Sequence, residues 1–149
     1  MKSPFREKLR LFSLATKAFP LLGQFYTFAY WIGIRIFVGA VRKINASLQN
    51  PVLSIYLIGS AARRDLVPGA SDIDFLIIIR ELGTQEEMAF LREFWTRYRA
   101  LKKLIPFLGE VAILDCNEIL NWPEVPTVKL YEALVSGNTC RIVYANLSL

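Results

Sequence analysis

The 149-residue chain contains no histidine. That absence removes Ser-His-Asp and Cys-His nucleophilic catalysis, and every His-ligated metal site, from what this chain does alone. Sulfur is scarce too. The two cysteines, Cys116 and Cys140, form no C-x-x-C motif and are expected to be reduced thiols of a cytosolic protein. No G-x-x-x-x-G-K-[ST] loop occurs, so phosphate binding of the P-loop kind is excluded. Internal repeats and low-complexity linkers are missing, and the length supports one domain with a single core. Carboxylates and hydroxyls remain as the reactive groups.

What is present is apolar and basic. Hydrophobic residues make up 54% of the chain and charged residues 21%, too apolar for disorder. The formal net charge of +5 suits an anionic ligand. Spread thinly, it draws nucleotide phosphates as readily as nucleic acid, and nucleic acid is the less favoured partner.

One stretch organises the rest. Ile55 to Arg80 reads IYLIGSAARRDLVPGASDIDFLIIIR: an apolar run ending in Gly59-Ser60, a polar loop with Pro68-Gly69, and a second apolar run opening on Asp72-Ile73-Asp74. If Asp72 to Ile79 is a strand, both carboxylates project from one face with Cα atoms roughly 6.6 Å apart, and Ile73 and Phe75 face the core. Two carboxylates that close repel unless a cation lies between them, and hard divalent ions are the usual answer. A pair of Mg²⁺ ions about 3.5 to 4 Å apart would fit and would clamp a transferring phosphoryl group. The plainer alternative is that the acids only solvate a sheet edge. Gly59, without a Cβ, lets the backbone approach a phosphate. Ser60 adds a hydroxyl where the chain turns into a short helix. Alone, a Gly-Ser after a strand is a turn; beside paired acids it becomes a candidate phosphate site.

Gly59-Ser60-Ala61-Ala62-Arg63-Arg64, followed by Ser71-Asp72-Ile73-Asp74-Phe75, resembles the G-S-x-A-R-G and S-D-h-D-h pattern (h apolar) of the minimal nucleotidyltransferases, within the DNA polymerase β-like nucleotidyltransferase superfamily. The resemblance is close over Ile55 to Ile79 and looser over Leu53 to Cys116. It implies an α/β (α+β) fold, a small mixed β-sheet flanked by helices, and transfer of a nucleoside monophosphate from an NTP to a hydroxyl acceptor. Gly59 and Ser60 would meet the triphosphate, Arg63 matches the family arginine, and Asp72 and Asp74 would hold two Mg²⁺ ions. Arg64 stands where the family usually has glycine. A third acid is expected on a neighbouring strand, and Glu110 and Asp115 are available there. They differ in parity, so only one faces the metals. Glu110 is favoured because the family acid usually opens the apolar run, with Asp115 as the cap of the strand end. The alternative puts Ala112 in that place and leaves a weakened or inactive site.

Residues 1–50 are expected to form an apolar helical extension, and 51–149 the nucleotidyltransferase domain, minimal or truncated. The basic segment Met1 to Arg10 leads into two helices divided near Pro20. The second, about Leu21 to Lys43, carries Phe25, Phe28, Ile32, Ile36 and Val41 on one side, with Tyr26, Trp31 and Phe37 elsewhere. A helix apolar all round is enclosed by its domain or a partner, or sits in lipid. Ala18 to Val38 is long enough to span a bilayer, but Gln24, Thr27 and Arg35 weigh against it. A protein partner or a second copy covering this helix, and membrane attachment, are therefore both expectations for a protein placed in the cytoplasm.

Further along, Thr84-Gln85-Glu86-Glu87 reads as a capping box opening a helix to about Leu104. Met88, Leu91, Trp95, Tyr98 and Leu101 recur on it at helical spacing. Its basic residues, Arg92, Arg97, Arg99, Lys102 and Lys103, read most simply as a solvated face, with contact to an acidic acceptor or nucleic acid as the alternative. Glu110 to Cys116 reads as a third strand and Cys140 to Ala145 as a last one. Between them lie a loop at Trp122 to Pro126 and a helix capped by Thr127 that ends before Gly137. Three functions fit: an Mg²⁺-dependent nucleotidyltransferase, a non-catalytic antitoxin-like partner module, and a membrane-attached enzyme of surface-glycan assembly.

Overall fold

The structure, a computed structural model, describes residues 20–67, 69–120 and 140–145. Runs of β-branched residues form strands β1 (Val52–Ile58), β2 (Ile73–Ile79), β3 (Leu108–Asp115) and β4 (Cys140–Ala145). They pair in the order β3-β2-β1-β4. β1 runs antiparallel to β2 and to β4, whereas β2 and β3 are parallel. That parallel pair needs a crossover, and the long helix α3 (Thr84–Leu104) supplies it. The other helices are α1 (Pro20–Ser47), α2 (Gly59–Arg63) and α4 (Cys116–Leu120). The fold is a mixed α+β one.

Alternation along the strands divides the sheet into two faces. Ile55, Leu57, Ile73, Phe75, Ile77 and Ile79 join α1 and α3 in the main core. Phe37 from α1 stacks on Phe75 with ring centroids 3.9 Å apart, and Phe94 and Tyr98 from α3 meet it edge-on. Ile58, Leu76, Ile78 and Leu114 form a smaller cluster on the opposite face. Asp74 lies between Ile73 and Phe75 and so belongs to that second face.

The apolar all-round character of α1 misleads the reading of its faces. Tyr30, Ile34, Phe37, Val41 and Ile44 are buried, while Phe25, Phe28, Ile32 and Ile36 stay exposed; of the expected stripe only Val41 enters the core. Among the described residues no helix is long and apolar enough to cross a membrane. Asn45 fastens the end of α1: its Oδ1 accepts the Val52 N–H at 2.6 Å and its Nδ2 donates to the Tyr144 hydroxyl at 3.4 Å. The expected first helix before Pro20, the Trp122 to Pro126 loop and the Thr127 helix lie outside the described residues.

Smaller differences are local. Thr84 is the first helical residue of α3 rather than its cap; Gly83 takes the cap position and makes no side-chain cap, so the capping box does not form. The helix is turned part-way from the expected face: Tyr98 is buried as expected and Leu91 and Leu101 pack against the core, but Phe90 and Phe94 are buried where Met88 and Trp95 are exposed. β3 begins two residues before Glu110 and gives way to α4 at Cys116, a free thiol.

Candidate functional site

Pairing brings the two motif halves together. Ile58, the last residue of β1, is the register partner of Asp74 in β2. Gly59 follows with φ of 65°, in the left-handed region that suits a residue without a Cβ. A Cβ on Gly59 would lie 3.4 Å from Asp74 Oδ2. The Gly-Ser turn and the second acid therefore line the same end of the β1–β2 pair. Ser60 sits half-buried in α2. Its hydroxyl makes no hydrogen bond among the described residues, while its backbone carbonyl accepts the Asp65 and Arg64 N–H groups.

From the other side Asp74 is held by β3. Register runs from Ile73 against Leu108 to Phe75 against Val111, so Asp74 faces the two residues Gly109 and Glu110, a β-bulge. The Glu110 backbone N–H donates to Asp74 Oδ1 at 2.8 Å. A Cβ on Gly109 would collide with that same oxygen, and would lie 2.9 Å from Asp72 Cβ and 3.1 Å from the Ile73 carbonyl. Both aspartates thus pack over Gly109, on one side of the sheet. The strand itself starts at Ile73, with Asp72 exposed just before it.

Two tyrosines from the helices fix this arrangement. The Tyr98 hydroxyl in α3 donates to the Gly109 carbonyl. Burial pushes its phenol above the ordinary 10.0, and the charges of Asp74, Asp72 and Glu110 push the same way, so all three carboxylates act on one buried ring. The Tyr30 hydroxyl in α1 donates to the Ser71 carbonyl at 2.6 Å, anchoring the loop just before Asp72. Its phenol is also raised, chiefly by burial, with Asp72 adding to the effect and a backbone hydrogen bond from Gly69 opposing it. Because the folded-state values lie above 10.0, stability is intact below that pH and falls as pH rises beyond it. A Tyr98→Phe variant is expected to show a shallower alkaline loss in denaturant titrations, and to lose roughly 1 kcal/mol at neutral pH from the orphaned Gly109 carbonyl.

The third-acid ambiguity separates cleanly in space. Asp115 pairs with Ile79, five residues along β2 from Asp74, about 16 Å away at strand spacing. It exchanges two hydrogen bonds with Glu118: its N–H donates to Glu118 Oε2 at 2.9 Å, and its Oδ1 accepts the Glu118 N–H at 2.7 Å. That reciprocal pattern caps α4. Glu110 is exposed and sits beside the pair, and Ala112 joins the apolar cluster beyond it.

The donor set suits a hard cation. Asp72 and Asp74 make no ion pair with Lys or Arg among the described residues, which leaves two adjacent carboxylates without a protein counter-charge. Among those residues no three acids stand close enough to form a complete ligand cluster; Asp72 and Asp74 are the adjacent pair, with the Glu110 backbone next to Asp74. Arg63 is not brought to the acids: it is exposed, and its Nε pairs with Asp65 Oδ2 at 3.0 Å.

The sequence of this chain matches the family model of the nucleotidyltransferase domain over residues 38–127, a span running from the middle of α1 past α4. The chain belongs to the nucleotidyltransferase domain family. No curated protein matches it. Among solved structures it is similar to a Sulfolobus solfataricus protein provisionally assigned as a nucleotidyltransferase, at 18% identity and a TM-score of 0.38, covering 80% of this chain and 89% of that one.

For a nucleotidyltransferase domain, Arg64 is the unusual residue of the turn. It occupies φ 63° and ψ 25° at the end of α2, a conformation that costs a side-chain-bearing residue roughly 1 to 2 kcal/mol and glycine little. The family glycine is thus explained by the backbone. Arg64→Gly is expected to stabilise the fold by roughly 0.5 to 1 kcal/mol, read as a higher denaturant midpoint with m unchanged, the extra freedom of the unfolded chain offsetting part of the gain. Two residues of the site escaped sequence reasoning. Gly109 looks like a helix breaker after Pro106, and Tyr98 like one more apolar position of α3. Nothing local marks either as a support for Asp74, since the contacts arise only when β3 pairs with β2.

Proposed function

We propose that this nucleotidyltransferase domain moves a nucleoside monophosphate from an NTP to a hydroxyl acceptor. The observation that carries the reading is the position of Asp74, flanked by the Gly59 turn on one side and the Gly109 bulge on the other, with Asp72 beside it. In this reading Asp72 and Asp74 hold two Mg²⁺ ions. When bound, these ions would offset the charge of the triphosphate and favour the ionised acceptor. The Gly59 backbone and the Ser60 hydroxyl receive the triphosphate, whose approach the missing Cβ permits. Glu110, held next to Asp74 through its own backbone N–H, takes the acceptor proton as the acceptor oxygen bonds to the α-phosphorus and pyrophosphate leaves. Arg63 would serve the phosphates only after leaving Asp65. That exchange costs little, because both side chains are about half exposed.

Incubation of the full chain with α-phosphate-labelled NTPs, Mg²⁺ and fractions of a cell extract tests the proposal. Label should appear on an acceptor only with Mg²⁺ present. Binding of NTP without transfer in any fraction would instead make the chain a non-catalytic partner module.

A further inference from the structure

The outward side of α1 is chemically out of place on a surface facing water. Phe25, Phe28, Ile32 and Ile36 are 66%, 63%, 41% and 45% exposed. Their spacing of three, four and four residues stacks them in one ridge. The core residues Tyr30, Ile34, Phe37, Val41 and Ile44 lie on the opposite side of the same helix. Beside the ridge runs a basic flank. Arg35 and Arg42 are exposed on α1, and the Arg141 guanidinium of β4 sits 5.3 Å from the centroid of the exposed Trp31 ring. None of these three arginines has a carboxylate partner among the described residues. Pro20 to Ser47 contains no acidic residue.

Charge across the whole chain follows the same division. Residues 1–50 hold eight of the eighteen basic side chains and one of the thirteen acidic ones; the remaining residues hold ten against twelve. We propose that α1 docks on an anionic lipid surface, lying in the headgroup plane with the Phe25–Ile36 ridge inserted and Arg35, Arg42 and Arg141 on the phosphates. An interfacial helix has this composition: large aromatic and aliphatic side chains on one side, arginines at its flank and a Trp at the boundary. The helix does not span, because its other side is committed to the protein core. A second copy fits less well, since α1 against α1 sets basic flanks together with no acid to answer them. Single-stranded RNA would use the arginines and Trp31 but leave Ile32 and Ile36 wet. The proposal does not depend on the reaction assigned above.

Co-sedimentation of the full chain with vesicles decides it. Binding is expected to phosphatidylcholine vesicles containing phosphatidylglycerol, and at least about tenfold weaker binding to phosphatidylcholine alone. A Phe25→Ser, Phe28→Ser, Ile32→Ser variant removes only exposed side chains, so it should fold and still match the wild-type circular dichroism while losing more than about tenfold in vesicle affinity. Arg35→Gln with Arg42→Gln should lose about tenfold on the anionic vesicles and little on the neutral ones. Wild type failing to sediment with either vesicle would overturn the proposal, as would equal binding by the triple variant. So would a concentration-dependent dimer in light scattering that the triple variant abolishes, or release from vesicles by stoichiometric single-stranded RNA.

Discussion

Replacing Asp74 by Asn is expected to lower Mg²⁺-dependent label transfer by at least about a hundredfold, the loss of roughly 3 kcal/mol of transition-state stabilisation. The exchange is nearly isosteric, and the amide oxygen still accepts the Glu110 N–H that now reaches Oδ1. What disappears is the negative charge that a divalent ion would meet, so folding stability should change by no more than roughly 1 kcal/mol. Asp72→Asn is expected to behave alike, because its carboxylate shares the same side of Gly109. Asp115→Ala is the contrasting variant. It removes the side-chain acceptor of the reciprocal cap of α4 and so should cost roughly 0.5 to 2 kcal/mol of stability while leaving transfer unchanged. A reversal of these outcomes would move the catalytic centre to the far end of β3.

Gly109→Ala carries the second large effect. Its methyl group has nowhere to go: Asp74 Oδ1 occupies the position, and Asp72 Cβ and the Ile73 carbonyl close the rest. The Asp72 Cβ and the Ile73 carbonyl are fixed by the backbone at the start of β2, so relief must come from displacing Asp74 or opening the β2–β3 pair. The expected result is a destabilisation of roughly 1 to 3 kcal/mol together with loss of transfer comparable to that of Asp74→Asn. Gly39→Ala supplies the reference, since a Cβ there meets nothing within 4 Å and a helix-interior alanine should stabilise by roughly 0.5 to 1 kcal/mol. If Gly109→Ala retained full transfer, the bulge would be a feature of the sheet alone.

How much of this was legible beforehand depended on whether the signal was local. β4 has the expected bounds, and β1 fills the apolar run that Pro51 and Gly59 end at chemically sharp points. The adjacency of Gly59 to the aspartates was also legible, since two strands joined by one loop pair as neighbours and set the end of one against the start of the other. Helix faces were not. α1 is apolar all round, so periodicity offers no preferred side, and the choice was made by Phe37 stacking on Phe75. In α3 the expected Tyr98 is buried, but Phe90 and Phe94 took the core over Met88 and Trp95, again a tertiary decision. Thr84 failed as a cap because Gly83, in extended backbone, already held the position.

The site shows the same division. Asp72, Asp74, Gly59 and Ser60 were visible as motif residues. Parity alone left Glu110 and Asp115 open. The register between β2 and β3, with its extra residue opposite Asp74, sets Glu110 next to the pair and Asp115 at the other end of the strand. Arg64 is the case in which motif and backbone agree on glycine and the chain carries another residue.

Equilibrium binding of a labelled, non-hydrolysable NTP analogue, measured with and without Mg²⁺ on the wild type and on the Asp72→Asn, Asp74→Asn double variant, tests the central claim most directly. The account predicts Mg²⁺-dependent binding by the wild type that the double variant loses while keeping its unfolding midpoint. Equal binding by both proteins, or binding indifferent to Mg²⁺, would contradict it.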